Sequence, residues 1–189
     1  MELFKNIRLK IGKNILLKKI SRTNRKVFYS NFDLIKSIGI VWDASNTADF
    51  PSLTKFHQKM HEKNIEVNIL GYFSGKELPD QYTAIRYLTC FRRKDLNFFY
   101  HPVSFETDCF IRNRYDILID LNFSKLLPIS YISSLSNSSF KVGLFENETD
   151  NPQFDLMMEI KSPVDIESYL NQVVHYLEMI NSGTDKTVK

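Results

Sequence analysis

Eight polar side chains in this 189-residue chain are of types that bind and position small ligands. They follow apolar segments, where a sheet would place them near one edge: Asp43, Ser45, Asn46, Asp49, Ser74, His101, Asp120 and Asn122. Carboxylates, amides and hydroxyls at such an edge can bind the hydroxyl groups of a small molecule, and an imidazole or carboxylate can move a proton. Asp49 also suits the N-cap of a helix, so a purely local role is the alternative.

Cationic side chains form a second candidate surface, concentrated in residues 1–36. This segment holds ten Lys or Arg and two acidic residues, a net charge of +8, so that −5 remains for the other 153 residues of a chain whose total is +3. Such a segment contacts phosphate groups, acidic proteins or anionic membrane surfaces. The predicted contact residues, including a second basic run among aromatic residues, are Lys5, Arg8, Lys10, Lys13, Lys18, Lys19, Arg22, Arg25, Lys26, Arg92, Arg93 and Lys94. The alternative is a compositional bias towards lysine.

Two further motifs have the spacing of known sites but lack required residues. The segment 71–77, GYFSGKE, has three residues between its glycines, where a phosphate-binding loop needs four, and an acid follows Lys76. His57 and His61 have the spacing of helical zinc ligands, but no third ligand is evident. We therefore predict neither a metal nor a cofactor.

Hydrophobic periodicity predicts the elements that must position these residues. Strands are predicted at 37–42, 65–70, 85–91, 96–100, 115–121, 141–145 and 154–160, and helices at 1–21, 50–64, 104–113, 126–135 and 164–181. This alternation predicts a single α/β, Rossmann-like domain over 37–181, with a mainly parallel sheet and helices on both faces. Residues 1–36 are predicted to be a basic helical arm with its connector, and residues 182–189 a disordered tail. The strand ends then meet at one sheet edge.

The predicted arm helix carries apolar residues on more than one side. Phe4, Ile7, Ile11 and Ile15 form a stripe at helical spacing, while Leu9, Leu16 and Ile20 lie elsewhere on the helix. Gly12 in its middle weakens the helix by about 1 kcal/mol relative to alanine. One hypothesis is that the stripe packs on the body of the protein or on a twin subunit.

Composition and termini exclude several classes of protein. The chain is 43% hydrophobic and 13% aromatic, which excludes an intrinsically disordered protein. Its two cysteines, Cys90 and Cys109, exclude a disulfide scaffold and are predicted to be buried thiols. The N-terminus has no secretory signal and no segment is long enough to span a bilayer, so a cytoplasmic location is expected. The oligomeric state is not predicted.

Two segments carry a resemblance to a known family. The first is Asp49-Phe-Pro51-Ser-Leu53, and the second is Tyr115-Asp-Ile-Leu-Ile-Asp120-Leu-Asn122 with the later Lys141-Val-Gly143-Leu-Phe145. Over residues 37–145 they resemble the N-terminal domain of heptosyltransferase-like glycosyltransferases of the GT-B type. The resemblance implies Asp49 as a catalytic base. If the strand ends form an enzymatic site, Asp43 is the other candidate for the catalytic residue, and Asn46 and Asp120 would orient substrate hydroxyls. The chain ends where the donor-binding domain of that family would begin.

The sequence also resembles a small bacterial family of single-domain α/β proteins whose function is uncharacterised. We interpret the chain as a non-catalytic cytoplasmic binding or adaptor module whose basic arm contacts RNA or a ribonucleoprotein, or else an acidic protein or membrane surface. One alternative is a truncated glycosyltransferase-like or small-ligand-binding domain that uses the strand ends. The other is a structural subunit of an oligomer.

Overall fold

The computed structural model describes residues 2–29, 31–145, 154–159 and 165–180. Its centre is a sheet of six parallel strands in the order β3-β2-β1-β4-β5-β6. The strands are β1 (Ser37–Asp43), β2 (Glu66–Phe73), β3 (Leu88–Arg92), β4 (Ile117–Leu121), β5 (Phe140–Leu144) and β6 (Leu156–Met158). The prediction of a Rossmann-like α/β fold with a parallel sheet is confirmed.

Six α-helices accompany the sheet in the described part of the chain. They are α1 (Glu2–Ile20), α2 (Phe50–Glu62), α3 (Asp80–Thr83), α4 (Phe105–Arg112), α5 (Leu127–Leu135) and α6 (Ile166–Met179). α2 and α6 pack on one face of the sheet, and α4 and α5 pack on the other. Each face buries its own apolar cluster, which explains why the central strands are continuous apolar runs. The predicted tail, 182–189, lies outside the described residues.

The two central strands set the position of the ligand-binding edge. β1 pairs with β2 on one side and with β4 on the other, so the direction of chain progression reverses between β1 and β4. In an open parallel sheet, the helices that follow two such strands leave on opposite faces, and a crevice opens at the carboxyl ends. Of the predicted polar residues, Ser74 after β2 and Asp120 and Asn122 of β4 and its following loop line this crevice.

One predicted strand, at 96–100, is wrong. This segment is a tight loop with a single bridge between Leu96 and Pro102. The Asn97 side chain accepts hydrogen bonds from the backbone N–H groups of Phe99 and His101, and Tyr100 has a φ of 63°. An asparagine that bonds its own following backbone favours a turn over a sheet ladder, although the aromatic residues around it have strand propensity.

α1 packs against α5 through a face centred on Gly12. A Cβ atom at this position would overlap the backbone oxygen of Phe99 and lie 3.1 Å from the Leu127 side chain. The close approach allows His101 Nε2 to donate to the Gly12 carbonyl at 2.9 Å and buries Leu16 fully. Residues 1–36, which the sequence separates from the domain, therefore contribute a packed helix to it.

The connector after α1 is held by a largely buried ion pair. Arg25 donates to the Asp155 carboxylate at 2.7 Å and to the Ser139 carbonyl at 3.0 Å. The second carboxylate oxygen of Asp155 accepts from the backbone N–H of Lys141 at 2.8 Å. Lys141 itself is buried and donates from Nζ to the Ser134 carbonyl at 2.9 Å. Burial, together with the nearby charge of Arg25, lowers the pKa of Lys141 from 10.5 to about 7.

A Lys141→Met substitution should stabilise the protein more at low pH than at high pH. The unfolded chain binds a proton at this lysine up to its ordinary pKa of 10.5, whereas the folded chain releases it near 7, so the wild-type free energy of unfolding rises with pH between these values. Methionine removes the buried charge, and we expect a gain of about 2 kcal/mol at about pH 6 that shrinks towards about pH 10. Urea denaturation of both proteins across this range measures it. A gain that is independent of pH would contradict the prediction.

Candidate functional site

A cleft of about 1170 Å³ lies between α1 and the carboxyl ends of the sheet, and we call it the α1 cleft. Its lining includes Tyr72 and Ser74 at the end of β2 and just after it, Arg93 after β3, and Asp120 and Asn122 at the end of β4. The cleft therefore spans the point where the direction of chain progression reverses. A basic helix and the strand ends, which the sequence presents as two separate candidate sites, form one concave surface.

Cationic side chains dominate the charge of the α1 cleft. Among the described lining residues, one is acidic, Asp120, and six are cationic: Lys5, Arg8, Lys10, Lys13, Arg93 and Lys125. Lys5, Lys10 and Lys13 are exposed and form no ion pair within the described part of the chain. Cations from three separate elements that face one cleft attract an anion much more strongly than the same charges would if dispersed.

Arg8 is held at the mouth of the cleft by two aromatic rings. Its Nε donates to the Phe98 carbonyl at 2.8 Å. The guanidinium carbon lies 4.1 Å from the centre of the Phe98 ring and 4.7 Å from that of Tyr100. This arrangement orders the guanidinium before any ligand arrives, which lowers the entropic cost of binding.

The remaining lining of the α1 cleft is largely apolar. The apolar residues come from α1, from the start of α5 and from the β5 and β6 edge: Phe4, Leu9, Leu16, Leu17, Phe123, Leu126, Leu127, Pro128, Leu144, Phe154 and Met157. Tyr72 contributes a hydroxyl whose pKa is raised by burial, an effect that the nearby Arg93 opposes. A cleft with a cationic rim and an apolar floor matches a molecule that has an anionic head and an apolar body.

Asp120 and Asn122 mainly shape the loop between β4 and α5. Asp120 is buried, and its carboxylate accepts from the backbone N–H of Asn122 at 2.6 Å and from the Ser133 hydroxyl. The Asn122 amide donates to the Leu126 carbonyl and to the Ser130 hydroxyl, both at 3.0 Å. These bonds fix the loop that presents Lys125, a cleft residue that the sequence analysis missed.

The candidates after β1 lie outside the cleft lining. The Asp43 carboxylate accepts from the Ser45 backbone at 3.1 Å, and the Ser45 hydroxyl lies 2.9 Å from that of Ser74. The Asp49 carboxylate accepts from the Asn46 amide at 2.7 Å. Asp49 occupies the position before α2 without making a side-chain cap. The carboxylates of Asp43 and Asp49 are thus bonded locally and away from the cations.

Burial raises the pKa of Asp49 above its ordinary value. The Asn46 amide and the indole of Trp42 act in the opposite direction. The Trp42 indole N–H is buried without a partner at hydrogen-bonding geometry in the described part of the chain. A carboxyl with a raised pKa has the character of a proton-transfer group, but the α1 cleft does not reach it.

Several other candidates serve the docking of α1. His101 is buried, donates to Gly12 and lies with its ring centre 4.6 Å from that of Tyr131. Burial lowers the pKa of His101 below its ordinary value. Lys19 donates to the Tyr131 hydroxyl at 2.6 Å. The remaining predicted cations line no part of the cleft: Lys18, Arg22, Arg25, Lys26, Arg92 and Lys94.

The described residues show no group of three or more His, Cys, Asp or Glu side chains able to hold a metal ion. His57 stacks on Tyr87 with ring centres 3.6 Å apart in a smaller pocket near the amino end of β2.

The two cysteines differ in exposure. Cys90 is half-buried, and burial raises its pKa to about 12. Cys109 is exposed, so the prediction of a buried thiol is wrong for Cys109. No helix in the described ranges is both long and apolar enough to cross a membrane.

A family model described as "Family of unknown function (DUF6913)" matches residues 8–180, which include most of α1 as well as the sheet. The chain belongs to this family. The DUF6913 match confirms the resemblance to a family whose function is uncharacterised. It also places the basic helix and the α/β body within one matched unit. No curated protein sequence matches the chain.

Among solved structures, the chain is similar to the E. coli heptosyltransferase WaaC with ADP. The two are 12% identical over 81% of this DUF6913 chain, with a TM-score of 0.43. The likeness covers 49% of the heptosyltransferase, so this chain spans about half the length of that enzyme. The weak resemblance to the heptosyltransferase-like glycosyltransferases, predicted from the sequence, is confirmed. No residue role is taken from it.

Proposed function

We propose that this protein binds an anionic ligand with an apolar body in the α1 cleft and does not transform it. The single observation that supports this most directly is the lining of the cleft, with six cations against one carboxylate in the described residues, above an apolar floor. The lone carboxylate, Asp120, already accepts hydrogen bonds from Ser133 and Asn122. Among the described residues, no other carboxylate lines the cleft, and Asp120 already has hydrogen-bond partners within the protein, which favours binding over catalysis. A cytoplasmic location is part of this proposal.

The proposal predicts a preference for octyl phosphate over inorganic phosphate, measured by calorimetry below the micelle concentration. We expect octyl phosphate to bind at least about tenfold more tightly, because each buried CH₂ group contributes roughly 0.8 kcal/mol. The double variant Lys10→Gln/Lys13→Gln should lose about tenfold in affinity for both probes, since two charge-assisted contacts are removed.

The matched control is Arg22→Gln/Lys26→Gln, which removes two exposed cations of the same segment that do not line the cleft. Its affinity for octyl phosphate should equal that of the wild type. Equal losses in the two double variants would mean that general charge attracts the probe, and equal binding of the two probes would show that the apolar floor takes no part. Either result contradicts the proposal.

An adaptor that contacts RNA is a second candidate. It is supported by exposed cations beyond the cleft, Lys18, Arg22 and Lys26, which form no ion pair in the described part of the chain. RNA binding would depend on all of these cations and fall steeply with salt. The control Arg22→Gln/Lys26→Gln should then weaken RNA retention as much as Lys10→Gln/Lys13→Gln does. Point variants are preferable to deletion of residues 1–26, because Leu16 and Arg25 are packed into the fold.

A further inference from the structure

The second apolar face of α1 is left exposed by the described part of the chain. Gly12 and Leu16 are buried against the body, but Phe4, Ile7 and Ile11 on the other side are 71%, 48% and 40% exposed. These three residues, which we call the outer stripe, recur at helical spacing and share one face. The hypothesis that the predicted stripe packs on the body of the protein is therefore wrong for these residues.

Cations and a further aromatic ring surround the outer stripe. Lys18 follows Ile11 by seven residues and so lies on the same face of α1, and Lys10 lies beside that face. Both are exposed and form no ion pair within the described residues. Phe98, which is also exposed, reaches α1 from the loop after β3 through its contact with Arg8. The face thus combines apolar side chains, two of them aromatic, with cations whose long stems extend beyond it.

We propose that the outer stripe of α1 docks the protein on an anionic lipid bilayer. An apolar helix face flanked by lysines lies in the plane of a membrane interface, with its apolar side chains among the acyl chains and its ammonium groups at the anionic headgroups. A second copy of the same face would bring unpaired cations against unpaired cations, which disfavours a symmetric dimer there. A bilayer satisfies both the apolar and the cationic components at once.

This inference is independent of the proposed ligand of the α1 cleft. Ile7 and Ile11 do not line the cleft, whereas Lys10 and Lys13 do. Phe4 on the outer stripe and Lys10 beside it also line the cleft. The docked protein would therefore open its cleft beside the headgroup region.

The test is sedimentation of the full chain with vesicles of phosphatidylcholine, with or without phosphatidylglycerol. The wild type should bind the anionic vesicles and not the neutral ones. Ile7→Glu should reduce the partition coefficient by at least about tenfold, because it places a carboxylate among apolar and anionic groups. Lys18→Gln should reduce it by about fivefold. Leu34→Glu, which alters an exposed leucine outside α1, is the matched control and should bind as the wild type does.

Because Ile7 is half-exposed, Ile7→Glu should retain the circular dichroism spectrum of the wild type and its affinity for octyl phosphate. Equal vesicle binding by wild type and Ile7→Glu, or equal binding to neutral and anionic vesicles, would overturn the inference. A wild-type dimer in light scattering that Ile7→Glu dissociates would assign the stripe to a second copy and overturn it too. If Lys10→Gln/Lys13→Gln lost octyl phosphate binding while Ile7→Glu still bound vesicles, the proposed ligand site in the α1 cleft would be supported and the membrane inference overturned.

Discussion

Asp155→Ala should lower the free energy of unfolding by about 3 kcal/mol, because it leaves a largely buried arginine without its carboxylate partner. The side chains of Arg25 and Asp155 are only 15% and 13% exposed. The second carboxylate oxygen of Asp155 also accepts from the Lys141 backbone N–H, so the substitution removes two bonds at once, one to the α1 connector and one to β5. Urea denaturation followed by circular dichroism measures the loss.

The matched control for this loss is Glu167→Ala. It removes the partner of Lys55 in an ion pair whose side chains are 71% and 41% exposed. Exposed pairs contribute between about 0 and 1 kcal/mol, and we expect a change within that range. If Asp155→Ala cost no more than Glu167→Ala, the connector would not be held by the buried pair.

Gly12→Ala should destabilise the protein by about 2 kcal/mol, although helix propensity by itself would give a gain of about 1 kcal/mol. The added methyl group would overlap the Phe99 carbonyl oxygen, and this oxygen belongs to the backbone of a loop fixed by Asn97. α1 must then move away from α5. Separation of the two helices would also expose Leu16 and loosen the wall of the α1 cleft.

The sign of the change in stability caused by Gly12→Ala tests whether α1 packs too closely on the Phe99 loop to accept a methyl group. Asn14→Ala is the control. Asn14 is exposed on α1, so alanine there should stabilise the helix by about 0.5 kcal/mol without a clash. Hydrogen exchange of α1 should accelerate in Gly12→Ala and not in Asn14→Ala. If Gly12→Ala stabilised the protein, α1 would be able to move away from the Phe99 loop at little cost, and the wall of the α1 cleft would not be rigid.

Local patterns were sufficient to predict most of the elements. β1 and β4 are largely apolar runs, which are typical of strands that are covered on both faces of a sheet. Pro51 and Pro128 mark helix starts because proline is accommodated in the first turn. The segment 96–100 was mispredicted because its aromatic residues favour a strand, whereas the Asn97 side chain fixes a turn.

The candidate site was only partly predictable. The rule for strand ends indicated Ser74, Asp120 and Asn122, and all three line the α1 cleft. The same rule indicated His101, whose side chain instead supports Gly12. Lys125 was missed, although its position in the loop after β4 was the available signal. A polar residue in a loop can form hydrogen bonds with many neighbouring groups. The sequence alone does not indicate which of these bonds forms.

The α/β fold class and the concentration of positive charge in the first helix could both be predicted from the amino-acid sequence. Periodicity and charge depend on residues that are close together in the chain, so they do not depend on how distant segments pack. Which face of α1 is buried could not be predicted: the face with Gly12 and Leu16 packs on the protein, while the face with Phe4 and Ile7 is exposed. Both faces are apolar, so propensity could not distinguish them. The choice depends on a close approach to a distant loop, for which a glycine is required.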